Sequence, residues 1–351
     1  MKNLLITGGL GFIGSHTVCE LYTNNNNFNV IILDNLCNSS MEQIKLIEKI
    51  IYPNKIIFVK GSINDCSILD SIFINYDISA VIHFAALKSV TESISEPLLY
   101  YNNNVCGTIN LLTKMNKYNV HNFIFSSSAT VYGNQKSPIV ESDTTGQNIT
   151  NPYGKSKFII EEMLKDLNGW NICILRYFNP IGAHSSGLIG ENPNGIPNNL
   201  MPYILNVGKN THFNLNDPTY QHLKVYGLNY NTIDGSGVRD YIHVVDLANA
   251  HIKALSKILL DEKKVSIYNL GTGKGTSVLE LIKCFEDINT IKIPYQIYPN
   301  RPGDIAESYC DSSKAEKELG WNRKYTIKEM CLDSWNYVLQ LHKSVECENP
   351  N

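Results

Sequence analysis

Tyr153 and Lys157 stand four residues apart in Asn151-Pro152-Tyr153-Gly154-Lys155-Ser156-Lys157, a spacing that puts both side chains on one face of a helix. Asn151 is a good N-cap and Pro152 suits the first helical position, so a helix is expected to start here. A phenol is a poor base near neutral pH because its pKa is about 10. A neighbouring ammonium favours the phenolate and brings it into range, so the pair predicts removal of a proton from a hydroxyl. The spacing alone is weak, since it occurs three times among 20 tyrosines. Tyr132/Lys136 encloses Gly133 and is followed by Pro138, while Tyr220/Lys224 follows Asp217-Pro218, so neither lies on a helix by pattern. Only Tyr153 follows a serine-rich strand end, Ser126-Ser127-Ser128, at a fitting distance. Ser128 either hydrogen-bonds the reacting oxygen or serves as a polar strand-end cap.

A second group of residues points to a dinucleotide. Gly8, Gly11 and Gly14 are spaced G-x-x-G-x-x-G directly after a short apolar run and at the start of a helical pattern. Residues without Cβ let backbone amides approach a pyrophosphate, and the helix N-terminus stabilises its charge. Gly14 lets the helix pack close to the strand. Twenty residues after Gly14, Asp34 ends the second apolar run, where a carboxylate accepts the ribose hydroxyls. A 2′-phosphate would meet a like charge there, so NAD is favoured over NADP. A positive nicotinamide ring would add to the effect of Lys157 on the phenol.

The elements that must position these residues alternate. Residues 3–7, 29–33, 55–60, 80–84, 122–126 and 171–177 read as buried strands. Residues 12–22, 41–51, 67–73, 97–117 and 152–167 read as helices between them. Continuous apolar strands between helices mean a parallel sheet covered on both faces, the α/β doubly wound (Rossmann) arrangement. From Phe178 onward Pro, Gly and Asn become dense and the alternation degrades. Residues 238–245 and 266–270 are expected as strands returning to the sheet, 246–260 and 276–286 as helices, and 326–341 as the last regular segment. The expected division is 1–177 plus about 238–272 for NAD, and about 178–237 plus 273–342 for a smaller substrate-binding domain. Residues 343–351 are expected to be a frayed tail, and 24–27, a run of asparagines, a surface loop.

Composition sets limits. The 351 residues are 43% hydrophobic and 18% charged with a net charge of −3, an ordinary globular balance without the basic excess that nucleic acid or an anionic membrane would favour. No run approaches the roughly 20 apolar residues of a membrane helix, and the apolar run 4–6 breaks too early for a secretory signal. Nine cysteines, none spaced C-x-x-C, read as reduced thiols of a cytoplasmic protein, with no metal site expected.

Taken together, several motifs carry a resemblance. Gly8 to His16, Phe84-Ala85-Ala86-Leu87-Lys88, Ser126 to Gly133 and the Tyr153 segment resemble the extended short-chain dehydrogenases, and within them the UDP-glucose 4-epimerases. Arg176-Tyr177-Phe178-Asn179, the segment 195–203 and Gly237-Val238-Arg239-Asp240-Tyr241-Ile242-His243-Val244 agree, so the similarity spans about residues 3–335. The resemblance implies an isomerase of galactose metabolism with tightly bound NAD, a UDP-sugar substrate and a homodimer formed through the long helices. It implies that Tyr153 takes the proton of the sugar 4-hydroxyl, that Lys157 holds the nicotinamide ribose, and that Ser128 helps the proton along. It assigns Gly8, Gly11, Phe12, Ile13, Gly14, Asp34, Asn35, Ile63, Phe84, Tyr177 and Phe178 to the cofactor. Asp65 is expected at the adenine, and Lys88 and Asn103 near the diphosphate and ribose. For the substrate it assigns Lys88, Ser128, Tyr153, Asn179, Asn198, Asn199, Leu200, Arg239, Arg301, Asp304 and Ser308. Two arginines suit a diphosphate, since the guanidinium fork matches its oxygens.

Related dehydratases and decarboxylases on this fold carry an acidic residue just before Val-Tyr-Gly, where this chain has Ala129-Thr130, so epimerisation is favoured over elimination. A rival of another class is a non-catalytic NAD-sensing protein, which would not need to keep Ser128, Tyr153 and Lys157 together. Segment 209–224 is longer than the family usually has and reads as a surface loop. In the family one pocket position separates enzymes of plain hexoses, with tyrosine, from those that also accept 2-acetamido sugars, with a small residue. Counted from Arg301 and Asp304 it falls on Ser308, so UDP-GlcNAc and UDP-GalNAc are expected substrates too; a slip of one residue would put Tyr309 there instead.

Overall fold

Each apolar strand of the first half carries side chains to two different cores, which is what a sheet buried on both faces requires. In a computed structural model describing residues 2–24, 28–260, 263–301 and 304–348, Leu4 and Ile6 enter one core and Leu5 the other. The chain begins with β1 (Lys2–Thr7), α1 (Phe12–Thr23), β2 (Phe28–Asp34), α2 (Glu42–Ile50), β3 (Ile57–Lys60), α3 (Cys66–Asn75) and β4 (Ile78–His83). There follow α4 (Val90–Ser95), α5 (Pro97–Tyr100), a π-helical turn (Tyr101–Cys106), α6 (Gly107–Lys117), β5 (Asn122–Ser128), α7 (Pro152–Lys165) and β6 (Asn171–Tyr177). Next are β7 (Asn179–Ile181), α8 (Leu200–His212), β8 (Leu223–Tyr226), β9 (Val238–His243), α9 (Val244–Ile258) and β10 (Val265–Leu270). The last elements are β11 (Gly275–Ser277), α10 (Val278–Asn289), β12 (Tyr295–Tyr298), β13 (Glu307–Ser308), α11 (Ser313–Leu319) and α12 (Ile327–Glu348).

Seven parallel strands form the central sheet in the order β10-β6-β5-β4-β1-β2-β3. The order reverses between β1 and β4, so the crevice at their carboxyl ends is where such a sheet receives a ligand. Helices α1, α2, α9 and α11 cover one face and α3, α6 and α7 the other. A third core joins α8, α10 and α12 with β8 and β9.

Four expectations need correction. Strand 238–243 does not return to the central sheet: β9 pairs with β7, β11 and β13 in a small sheet, with Tyr241 in the third core and Ile242 in the first. Only β10 returns, against β6. Segment 97–117 is helical throughout but widens at the π turn, which carries the buried Asn104 inward to hold the loop after β4. Segment 209–224 is not a loop throughout: its start is the last turn of α8, and Asn210 ties the rest down through Asp217 N (2.9 Å) and the carbonyls of Asp217 and Tyr220. The frayed tail is also overturned as far as Glu348, because α12 continues to that residue; residues 349–351 lie outside the described residues. Of the asparagine run, Asn24 is the C-cap of α1 and 25–27 lie outside them.

Candidate active site

The glycine loop joins β1 to α1 at the crevice, and its geometry excludes side chains. Gly8 has φ +69° and a Cβ there would lie 2.7 Å from the Ala85 amide on the loop after β4. A Cβ on Gly14 would lie 2.5 Å from the Gly8 carbonyl. Gly11 is the N-cap of α1 and offers no side chain to its first-turn amides, which suits an anionic group. Phe12 and Ile13 open the helix, Phe12 edge-on to His16 and Ile13 against the first core.

Asp34 ends β2, buried. Its Oδ2 accepts from Leu10 N (3.1 Å), and its Oδ1 from Leu36 N (2.9 Å) and the Ser39 hydroxyl (2.9 Å). The carboxylate thus ties the glycine loop to the turn holding the exposed Asn35. Ile63 is buried against Gly107. Asp65 caps α3, its Oδ1 accepting from Ser67 N (2.9 Å) and Ile68 N (3.2 Å), and those amides hold its carboxyl below the usual range. Asn103 bonds Asn104 at 3.0 Å. A cradle closed to side chains, an open helix N-terminus and a carboxylate at the end of β2 fit a dinucleotide.

Tyr153 and Lys157 lie on α7, which begins as expected: Asn151 caps Gly154 N at 2.8 Å and Pro152 takes the first position. Ser128 ends β5, and its hydroxyl lies close enough to the Tyr153 phenol to oppose the upward pull of burial on it. Burial wins, so the Tyr153 phenol stands above its ordinary value. This is the reverse of the lowering expected from Lys157, and the geometry gives the reason. Lys157 Nζ is 5.9 Å from the Tyr153 ring centroid and donates instead to the Ser126 carbonyl at 2.6 Å. Burial pushes the Lys157 ammonium down to about 7, with Glu161 pulling the other way. Tyr177 ends β6 and Phe178 follows it, both buried. His251 donates through Nδ1 to the Leu247 carbonyl (2.8 Å), so its Nε2 accepts from the Tyr177 hydroxyl. Phe84 packs on the same imidazole, 4.8 Å between centroids.

On the other side of the crevice Lys88 Nζ meets Glu191 at 3.0 Å, and Asn199 Nδ2 meets the same oxygen at 3.2 Å. Asn198 donates to the Ser89 hydroxyl at 2.9 Å. Leu200 opens α8. The exposed Asn179 starts β7 opposite Tyr241. Another group gathers on β9. Arg239 pairs with Asp304 (3.1 Å) and donates to the Ile305 carbonyl (3.0 Å), while Arg301 stacks on Tyr226 with its guanidinium carbon 3.9 Å from the ring centroid. Ser308 lies opposite Arg239 in the β13–β9 pair and so shares its face.

The sequence reading missed several residues of this region. Asn104 ties Leu87 to Ser156 of α7. Glu191 holds Lys88 and Asn199. The Tyr230 hydroxyl is buried without a hydrogen-bond partner beside Arg239, Arg301 and Asp304, as a donor reserved for a ligand would be. None of the three sits in a spacing that signals its role; only the fold brings them there.

Comparison with known proteins agrees with this geometry. The family model described as GDP-mannose 4,6 dehydratase matches residues 5–334. The UDP-glucose 4-epimerase of Bacillus subtilis (strain 168) is 49% identical over 95% of this chain and 96% of that protein. The UDP-glucose 4-epimerase of Stenotrophomonas maltophila, solved with bound NAD and formylated UDP-arabinopyranose, is 43% identical with a TM-score of 0.91, covering 98% of this chain and 100% of that one. The Bifidobacterium longum UDP-glucose 4-epimerase, solved with NAD+ and UDP, is 46% identical with a TM-score of 0.89, covering 100% of this chain and 99% of that one.

Proposed function

Since the chain belongs to the extended short-chain dehydrogenase/reductase family, among its UDP-glucose 4-epimerases, we propose that Tyr153, Lys157 and Ser128 carry the inversion of carbon 4 in UDP-galactose and UDP-glucose. The enzyme is an isomerase and its cofactor is NAD. Bound in its oxidised form, NAD supplies a reversible hydride acceptor at the sugar carbon and a positive ring beside the phenol. Gly8, Gly11, Gly14 and the first turn of α1 hold its pyrophosphate, and Asp34 the adenosine ribose. Lys157 holds the nicotinamide ribose. Tyr153 takes the proton of the 4-hydroxyl, with Ser128 bonded to both oxygens. The 4-keto sugar then presents its other face, and Tyr153 returns the proton. Asn179, Asn199, Arg239, Arg301 and Asp304 hold the UDP. In this division 2–177 with 244–270 serve the cofactor and the remainder the UDP-sugar.

The observation that carries this reading is the juxtaposition of Ser128, at the end of β5, with the Tyr153 phenol of α7, on the same edge of the sheet as the glycine cradle. The matched dehydratase family does not redirect it to elimination. Ala129–Tyr132 is a 3₁₀ turn in which Thr130 donates to the Ser128 hydroxyl (3.0 Å), so no carboxylate stands at that slot. The test is an assay of purified protein with UDP-galactose and no added NAD; absence of UDP-glucose from a nicotinamide-loaded preparation rejects the reading.

We infer that UDP-GlcNAc and UDP-GalNAc are interconverted as well. Ser308 shares the face of Arg239, whereas the Tyr309 ring lies by Gly275, next to Val238 on the opposite face. This alternation supports Ser308 as the pocket residue. Ser308→Tyr would overfill that space at about 1–3 kcal/mol, so it is expected to lower turnover of the acetamido pair at least about fivefold while plain hexoses are still used. Parallel assays with both sugar pairs check it, and unchanged acetamido turnover in the variant removes Ser308 from this role.

A homodimer through α4, α5 and α7 is our reading of the exposed Ile94, Leu98, Leu99 and Ile159, which lie on helices that pack together. Sedimentation velocity of the full chain at micromolar concentration is expected to give twice the chain mass; a monomer there contradicts it. Among the described residues no helix is long and apolar enough to cross a membrane, and free thiols at every described cysteine support a place in the cytoplasm.

A further inference from the structure

We propose that Glu191 is a positioning residue that fixes Lys88 and the start of α8 relative to each other, coupling the cofactor side of the crevice to the UDP side. The proposal rests on the reading above, in which Lys88 serves the cofactor and Asn199 with α8 serves the UDP. Glu191 lies in the connection between β7 and α8, its side chain only 8% exposed against 45% for Lys88. A carboxylate this buried needs partners. One oxygen, Oε1, accepts from both Lys88 Nζ (3.0 Å) and Asn199 Nδ2 (3.2 Å). The two donors come from different parts of the fold: the loop after β4 and the N-cap of α8.

The local sequence explains why Asn199 is available. Asn at an N-cap ordinarily accepts from the second or third helical amide. Here the third position is Pro202, which has no amide hydrogen, and Asn199 makes no capping bond. Its side chain turns to Glu191, and the amides of Leu200 and Met201 keep no side-chain acceptor. The neighbouring bonds repeat the pattern. Asn198 grips Ser89 at 2.9 Å, and Asn194 reaches the loop after β2 through the Cys37 carbonyl (3.3 Å) and the Asn38 side chain (3.4 Å). Segment 191–199 is therefore strapped to the loops after β2 and β4, and Glu191 is the only charged side chain in it.

The sign of the effect separates positioning from simple charge. A carboxylate beside two anionic ligands opposes both by Coulomb repulsion, so if charge were its whole effect, its removal would tighten binding. If it positions the donors, its removal loosens binding. For Glu191→Ala we expect the dissociation constant for UDP, measured by calorimetry on the nicotinamide-loaded protein, to rise about tenfold. KM for UDP-galactose should rise by a similar factor with a smaller fall in kcat. Nicotinamide should also be lost faster on gel filtration. Glu191→Gln keeps an acceptor oxygen and should restore UDP binding to within about threefold of the parent. UDP binding as tight as the parent or tighter in Glu191→Ala overturns the proposal. So does a lowered thermal midpoint with no recovery of UDP binding in Glu191→Gln, which would mean a structural role alone. Binding and nicotinamide retention are read without turnover, so an inactive parent would reject the epimerase reading while leaving the role of Glu191 measurable.

Discussion

Tyr153→Phe is expected to lower kcat for UDP-galactose by about 10²–10⁴ while the purified protein keeps its nicotinamide. The substitution removes one oxygen and nothing else. The ring stays on α7, whose start is fixed by Asn151 and Pro152, and Lys157 keeps its bond to the Ser126 carbonyl. What is lost is the phenol oxygen beside Ser128, and with it the group proposed to accept and return the sugar proton. Ser128 cannot substitute, because a hydroxyl without an adjacent base is far weaker still. Because burial holds the Tyr153 phenol above its ordinary value, the phenolate depends on positive charge close by. Lys157 donates to the Ser126 carbonyl and is itself pushed down to about 7 by burial, so that charge is left to the nicotinamide in the proposed reaction. The measurement is turnover together with the nicotinamide absorbance of the same preparation. Turnover within about threefold of the parent would show that another group moves the proton, given that general-base loss costs far more than this.

How far the sequence anticipated this arrangement depends on whether a residue acts locally or through the fold. The glycine loop, Asp34 and the Tyr153 helix are local: strand, turn and helix start lie within a few residues, and each leaves a signature in spacing and capping residues. The seven-stranded sheet follows for the same reason, because its strands are continuous apolar runs. Strand 238–243 is misplaced by pattern because a buried strand leading into a helix looks alike in either sheet; β9 lies between two cores, with Tyr241 in one and Ile242 in the other. The π turn was invisible because 97–117 has helical periodicity throughout, and only the bonds of Asn104 to Leu87 and Ser156 show why it widens. Direction was missed at Tyr153 because spacing reports which face two side chains share, and not that Lys157 would reach Ser126 first. Asp65 illustrates the opposite case. It was assigned from resemblance to the adenine, and its carboxylate meets the local demand of capping α3.

Behind the reacting pair, Arg176→Met is expected to have the largest effect on stability, about 3–5 kcal/mol. Arg176 and Glu161 form a two-point ion pair, Nε to Oε1 at 3.0 Å and Nη2 to Oε2 at 2.6 Å, and their side chains are 2% and 0% exposed. The network extends on both sides. The Ser127 hydroxyl donates to Glu161 (2.5 Å), and Arg176 donates to the Tyr132 hydroxyl (2.8 Å), which donates to Asn269 (2.6 Å). This places the pair beneath Ser128 on β5 and one helical turn from Lys157 on α7. Removing the guanidinium leaves a buried carboxylate without its ion-pair partner, which is far costlier than removing an exposed ion pair. Removing both charges is different. In Arg176→Met/Glu161→Leu neither charge of the pair remains buried, and most of the loss should return, with Ser127 and Tyr132 each missing one partner. Denaturant unfolding of the two single variants and the double variant gives the coupling directly. A loss below about 1 kcal/mol in Arg176→Met, the range of an exposed pair, would mean that water reaches Glu161 and that the network does not hold β5 against α7.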